Sequence, residues 1–288
     1  MNDPVIVGVD GSGRSLRALV WAGNEAVLHG CPLHIVHVLP GWEFDAPFFP
    51  PGRSQGLSRR GAGILKEAEA IIKESHPGLE VGSAQFPGSP AEILRAMSEQ
   101  AHSVVLGARG EGGFWNLLVG SVGLQVAGHA AGPVVVVGQI TTGHRRVVVG
   151  TDGSPHSDSA LEFGFEEASL RGARLQVLRA WSMPNPAGTD GAEVDPDEEE
   201  ARQRSEVDEQ LGDLVQRFPD VEVERDVVRG GAAPLLVRAS DRADLAVVGS
   251  RGRGGFHGLA LGSVSHALLH YGICPVAVVR PRPHKVRE

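Results

Sequence analysis

Apolar positions along the chain fall into short valine-rich runs separated by longer stretches in which apolar residues recur every three to four positions. Residues 4–9 and 146–151 are runs of the first kind, the pattern of a strand buried on both faces of a parallel sheet. Helical stretches follow, Ser15–Leu28 and Ser157–Leu170, each closed by a glycine, Gly30 or Gly172, where a helix commonly turns left-handed and stops. Leu33–Leu39 and Leu175–Trp181 predict second strands, with helices near 60–75 and 197–217 and third strands at 79–86 and 221–228. Ser89-Pro90 starts another helix: the serine can cap, and proline at the first helical position lacks only an N–H that would have no partner. Fourth strands (His102–Leu106, Asp244–Val248), a glycine-rich loop, a last helix and fifth strands (Pro133–Val137, Pro275–Val279) complete the series. Strands alternating with helices predict an α/β protein whose parallel sheet is covered on both faces.

The whole series occurs twice. Val5-Ile-Val-Gly-Val-Asp10-Gly-Ser12 matches Val147-Val-Val-Gly-Thr-Asp152-Gly-Ser154, and Gly107-Ala-Arg-Gly110 matches Gly249-Ser-Arg-Gly252. Asp10 and Asp152 stand 142 positions apart, as do Gly107 and Gly249, and Ser121 and Ser263. Constant spacing over so long a span marks two homologous halves. We place the domains at 1–140 and 144–282, joined by a short polar linker around Gly138–Arg145. Only the loops at 40–58, rich in proline and aromatics, and 182–200, rich in proline and acid, diverge.

Composition narrows the function. Lys+Arg 27 against Asp+Glu 35 gives a net charge of −8, which disfavours nucleic acid and anionic membrane as partners. No apolar stretch is long enough to span a bilayer, and the N-terminus lacks a secretory pattern, so a cytoplasmic protein is expected. Cys31 and Cys274 lie far apart and read as reduced structural thiols.

The chemistry resides where the repeated motifs meet. In an open parallel sheet, ligands bind beyond the carboxyl ends of the strands, where strand order reverses. With the order 3-2-1-4-5 in each half, that crevice lies between strands 1 and 4. Asp10 and Asp152 end strand 1, while the glycine loops leave strand 4, so both motifs reach one crevice. Gly8 and Gly150 are expected to leave room for a ring or ribose, and the aspartates to accept from hydroxyls or hold Mg2+ against phosphate. Gly107, Gly110, Gly249 and Gly252 free the backbone to approach phosphate. Gly120-Ser121 and Gly262-Ser263 open the last helix, whose N-terminus favours anions, with the serines as caps and phosphate contacts. Each element also has a plain reading, since Asp-Gly-Ser after a strand is commonly a turn into a helix cap. Matched spacing in both halves favours a site.

Other candidates are weaker. His266 and His270 have the helical spacing of two metal ligands but no third partner, and a packing or surface role is expected. His34 and His37 face opposite sides of a strand. The acidic run Asp195–Glu200 is expected to open a solvated helix. Phe44, Phe48 and Phe49 suggest a loop that packs on a partner or acts as a lid.

These residues resemble the universal stress protein family in its tandem-domain form. Its ATP-binding subgroup carries Gly-x-x-Gly, nine residues, then Gly-Ser or Gly-Thr, with an aspartate ending strand 1, and both halves match. The resemblance leaves out only the two divergent loops and the tail after Arg280. It implies two tandem Rossmann-like (adenine nucleotide alpha hydrolase-like) domains, each a five-stranded parallel sheet of order 3-2-1-4-5 with helices on both faces. It also implies ATP with Mg2+ as the ligand, one per half, and a regulatory or stress-response role as an ATP sensor. Adenine would lie near Val38 and Ala180, and the triphosphate on the glycine loops through Arg109, Gly113, Arg251 and Gly255. Ser121-Val122 and Ser263-Val264 would close the pocket. The fifth strands would pair, in a homodimer or within the chain. Arg179-Ala180 departs from the family pattern that His37-Val38 follows, and His102 stands where the second half has the more usual Asp244. The alternatives are a slow ATPase of the same fold or a nucleotide-independent dimerisation scaffold. Neither loop carries a Walker lysine. Glu111 corresponds to Arg253, so the second half is expected to hold triphosphate more tightly.

Overall fold

A computed structural model describes residues 3–40, 53–108, 119–183, 195–253 and 259–282. The chain divides into two compact units, Met1–Ile140 together with Arg280–Glu288, and Thr141–Val279. The first unit runs β1 (Val5–Gly8), α1 (Gly13–His29), β2 (Leu33–Pro40), α2 (Arg53–Ser75), β3 (Val81–Gly88), α3 (Pro90–Met97), β4 (Ser103–Gly107), α4 (Ser121–His129) and β5 (Val134–Val137). The second runs β6 (Arg146–Thr151), α5 (Pro155–Arg171), β7 (Arg174–Trp181), α6 (Pro196–Arg217), β8 (Val223–Arg229), α7 (Ala232–Ser240), β9 (Leu245–Gly249), α8 (Ser263–Tyr271) and β10 (Val276–Val279).

Strand order is β3-β2-β1-β4-β5 in the first unit and β8-β7-β6-β9-β10 in the second. Every pairing within either unit is parallel. Registers repeat across the duplication: Val5 pairs with Leu33 and Val147 with Leu175, while Val104 pairs with Val134 and Ala246 with Val276. Right-handed crossovers then place α1 and α2 on one face of the first sheet and α3 and α4 on the other, and α1 packs on α2 as α3 does on α4. Both faces being covered, Val5, Val7, Val104, Val134, Val147 and Val149 are fully buried.

Helix boundaries move for identifiable reasons. α1 and α5 start earlier than predicted because Ser12 and Ser154 are their caps, each hydroxyl accepting from the N–H three residues on, at 3.2 and 3.3 Å. Gly30 and Gly172 end these helices with φ of 59° and 55°, as expected. β3 starts later because Leu79 N–H donates to the His76 carbonyl at 3.0 Å, closing a turn first. α6 is capped by Asp195, whose carboxylate accepts from Asp197 N–H at 2.8 Å. The acidic run is not wholly solvated, however: Glu199 is buried and pairs with Arg202. Cys31 and Cys274 are both free and buried, and burial pushes the Cys274 thiol up to about 12, so neither is poised to react. Among the described residues no helix is long and apolar enough to cross a membrane. Phe44, Phe48 and Phe49 lie outside the described residues.

His102, just before β4, is set 4.0 Å centroid to centroid from the His29 ring. Burial first, and then the neighbouring imidazole, depress it from 6.5 to about 4. An unfolded chain would take up a proton between those values that the folded unit refuses. Stability is therefore lost as pH falls from about 6.5 to about 4, by up to about 3 kcal/mol. Urea unfolding across that range should show the fall, and His102→Asn should flatten it; an equal fall in the variant would remove His102 as its source.

Candidate functional site

In both units an Asp-Gly-Ser turn follows strand 1 at the carboxyl edge of the sheet. Asp10 Oδ1 accepts from Ser12 N–H and Asp152 Oδ1 from Ser154 N–H, each at 3.0 Å, which folds the turn and aims the serine at its helix. Gly11 and Gly153, with φ of 86° and 73°, supply the left-handed step that turn needs. The plain reading of the motif is thus physically true. It also fixes each aspartate at the switch point between strands 1 and 4.

The glycine loop is closed at its root. Gly120 N–H donates to the Ala108 carbonyl at 2.7 Å, and Gly262 N–H to the Ser250 carbonyl at 2.8 Å. Those two glycines, not Ser121 and Ser263, are the caps of α4 and α8, and neither cap makes a side-chain hydrogen bond. The serines lie one residue inside the helix, because the root bond sets where helical geometry begins. The consequence is functional: a glycine cap supplies no side-chain acceptor to the first amides of α4 and α8, and a helix N-terminus of this kind favours an anion.

Two glycine roles need correction. A Cβ on Gly8 would lie 2.7 Å from Leu106 Cδ2 and 3.3 Å from Leu94 Cδ1, and one on Gly150 2.7 Å from Leu236 Cδ1. The space over these glycines is filled by leucines of α3, β4 and α7, so they serve helix–sheet packing rather than a ring or ribose. At Gly107 and Gly249 the obstacle would be backbone. A Cβ there would meet the Arg14 carbonyl at 2.9 Å and the His156 carbonyl at 2.7 Å, inside the first turns of α1 and α5. These two residues let strand 4 end directly against helix 1.

In the second unit the turn and the loop are joined. Asp152 Oδ2 accepts from Arg253 N–H at 2.7 Å, and a Cβ on Gly252 would collide with that same oxygen. Burial works to raise the Asp152 carboxyl, but hydrogen bonds from Ser154, Arg253 and Ser157 outweigh it and hold the group below its usual value of 3.8. Arg251 is exposed beside Gly262. Val38 and Ala180, at the ends of β2 and β7, are half-buried. Arg109, Gly110, Glu111, Gly113 and Gly255 lie outside the described residues.

The feature that motif reading passed over is a polar network around Arg179. Arg179 is 5% exposed, and its guanidinium donates to Gln203 at 2.8 Å and Glu206 at 2.9 Å. Burial and the nearby Arg253 lower its pKa, with Glu206 and Asp152 opposing. In the first unit the corresponding position is His37, whose Nδ1 lies 2.7 Å from the Val9 carbonyl and whose ring abuts Gly61. The signal was present in the sequence: Glu199, Gln203, Glu206 and Gln210 form a polar stripe at helical spacing beside apolar Val207 and Leu211. The rings of His266 and His270 stand 4.5 Å apart.

Comparisons with known proteins agree on a family. The model of the Universal stress protein family matches residues 1–138 and again 143–280. Universal stress protein Rv1996 of Mycobacterium tuberculosis (strain H37Rv) is 36% identical over 300 residues, spanning 96% of this chain and 94% of its own. A universal stress protein of Mycolicibacterium smegmatis is 36% identical over 295 residues, spanning 96% and 97%. The fold is shared with the crystal structure of a universal stress protein from Archaeoglobus fulgidus DSM 4304, at a TM-score of 0.72 and 21% identity over 98% of this chain and 97% of that one. With one family domain in each half, the chain belongs to the universal stress protein family as a tandem-domain member.

Proposed function

We propose that each half binds one adenine nucleotide, ATP with Mg2+, and that occupancy acts as a regulatory signal in a cytoplasmic stress response rather than as a step in rapid turnover. The observation that carries this reading is the bare glycine cap of the last helix in each unit, set at the switch point beside an aspartate-led turn. Amides of Ser121 and Val122, and of Ser263 and Val264, would take phosphate oxygens at a positive helix end. Val38 and Ala180 would lie against the base. Asp10 and Asp152 would accept from ribose hydroxyls or hold Mg2+ through their carboxylates. Arg109, Gly110, Gly113, Arg251 and Gly255 belong to the same phosphate-binding role. The glycine runs contain no lysine to neutralise a transferring phosphoryl group, which supports sensing over turnover. Arg251 and Arg253, against Arg109 and Glu111, make the second site the tighter of the two.

Mass spectrometry of small molecules released from the purified full chain, with calorimetric titration of the emptied protein, tests this. Two adenine nucleotides per chain in two affinity classes are expected. Neither released nucleotide nor heat of ATP binding would overturn the reading, and equal affinities would overturn the ranking of the sites.

A further inference from the structure

The Arg179 network differs in kind from anything at the equivalent place in the first unit. Glu206, on α6, is held among three guanidiniums: Arg179 Nη2 at 2.9 Å and Arg253 Nη1 at 3.7 Å from one oxygen, Arg202 Nη1 at 2.6 Å from the other. Its first-unit counterpart by the 142-residue offset is Ile64, whose side chain comes within 3.2 Å of a Cβ placed on Gly11. Arg253 also donates to the Gly153 carbonyl at 3.3 Å, so the network reaches the Asp152 turn. One rim is apolar and the other ionic, although the backbones match in register.

Resting on the nucleotide reading above, we propose that Glu206 is an internal counter-anion at the second site: its carboxylate occupies Arg179 and Arg253 and is exchanged for a phosphate group of the ligand. Exposure fits exchange. Arg179 is 6% exposed in its side chain, a fixed cation, whereas Glu206 at 30% and Arg253 at 58% are open to solvent and can move apart. Charge fits as well. A buried guanidinium is costly without an anion, so a carboxylate leaves Arg179 readily only if another anion arrives. A phosphate oxygen does what the carboxylate does, and its multiple charge serves both arginines. The second site is thereby set to prefer polyanionic nucleotides over the bare nucleoside, at an affinity that Glu206 holds down.

Calorimetric titration of the full chain with ATP, inorganic tripolyphosphate and adenosine tests the exchange in wild type, Glu206→Gln and Glu206→Asp. Gln removes the charge while keeping the shape, and Asp draws the carboxylate back by one methylene. Glu206→Gln should tighten ATP and tripolyphosphate at one site by about tenfold and leave adenosine unchanged, with Glu206→Asp giving a smaller gain. Arg253→Ala should weaken the polyanions. Wild type that binds ATP while both Glu206 variants bind it within twofold of wild type, or more weakly, overturns the counter-anion and leaves the nucleotide reading standing. No ATP binding by any of the proteins overturns both. A gain for adenosine as large as for ATP overturns the exchange in favour of simple loosening of α6.

Discussion

Gly249→Ala is expected to destabilise the second unit by about 3 kcal/mol. The new Cβ would lie 2.7 Å from the His156 carbonyl oxygen, 2.8 Å from its carbon and 2.9 Å from the His156 Cβ. None of these atoms is the free end of a side chain. To make room, α5 must slide off the end of β9, and its start is tied to β6 by the Ser154 cap and the Asp152 turn. Relief at one contact therefore breaks another. Urea unfolding should show a lower midpoint at unchanged slope. Gly212→Ala, with nothing within 4 Å of the added carbon, is the control within the same unit and should gain up to about 1 kcal/mol from helix propensity alone. Equal midpoints for Gly249→Ala and wild type would remove the close approach of strand and helix as a constraint.

Asp152→Asn should cost about 2 kcal/mol and weaken nucleotide binding at the second site more than tenfold. The two carboxylate oxygens accept from two backbone amides, Ser154 N–H and Arg253 N–H. Asparagine supplies one acceptor and presents an NH2 to the other N–H, donor against donor. It also removes the negative charge that helps balance Arg179. Hydrogen exchange at the Arg253 amide is the direct readout, since protection there depends on the lost bond. Because hydrogen bonding holds the folded carboxyl below 3.8, the wild-type contribution is complete above that value and is lost only as pH falls through the lower, folded one. An Arg253 amide as protected in Asp152→Asn as in wild type would show that the aspartate does not hold the loop.

The fold was legible because its signals are local and occur twice. Valine runs, Gly30 and Gly172 as helix stops, and the 142-residue offset each depend on neighbours in sequence, and the duplication repeats every one of them. The meeting of Asp10 with one glycine loop and Asp152 with the other followed from strand order alone. What escaped depends on which side chain fills which space. Leu94 and Leu236 come from helices some 86 residues beyond Gly8 and Gly150, so nothing local separates a glycine that admits a ligand from one that admits a leucine. Ser121 and Ser263 looked like caps because serine favours that position, but a hydrogen bond across the loop root sets the boundary one residue earlier. Arg179 stood out as a departure from pattern, yet its meaning lay in Gln203 and Glu206 on another element.

The polar contacts of α6 bear on a hazard that every duplicated chain meets while folding. The halves share one strand register, so α2 and α6 are near-interchangeable in backbone terms, and a newly made chain offers each sheet two candidate helices. Side chains tell them apart. Gln210 of α6 bonds Thr151 at 2.7 Å, where the first half sets Ala68 and Val9, both buried and apolar. With α2 in place of α6, Arg179 would face Gly61 and Ile64, a buried charge without an acceptor. With α6 in place of α2, Gln210 and Glu206 would be pressed against Val9 and Gly11. Either exchange strands polar groups in an apolar setting, at a cost of several kcal/mol. The asymmetry between the halves thus works as an address label, directing each helix to its own sheet.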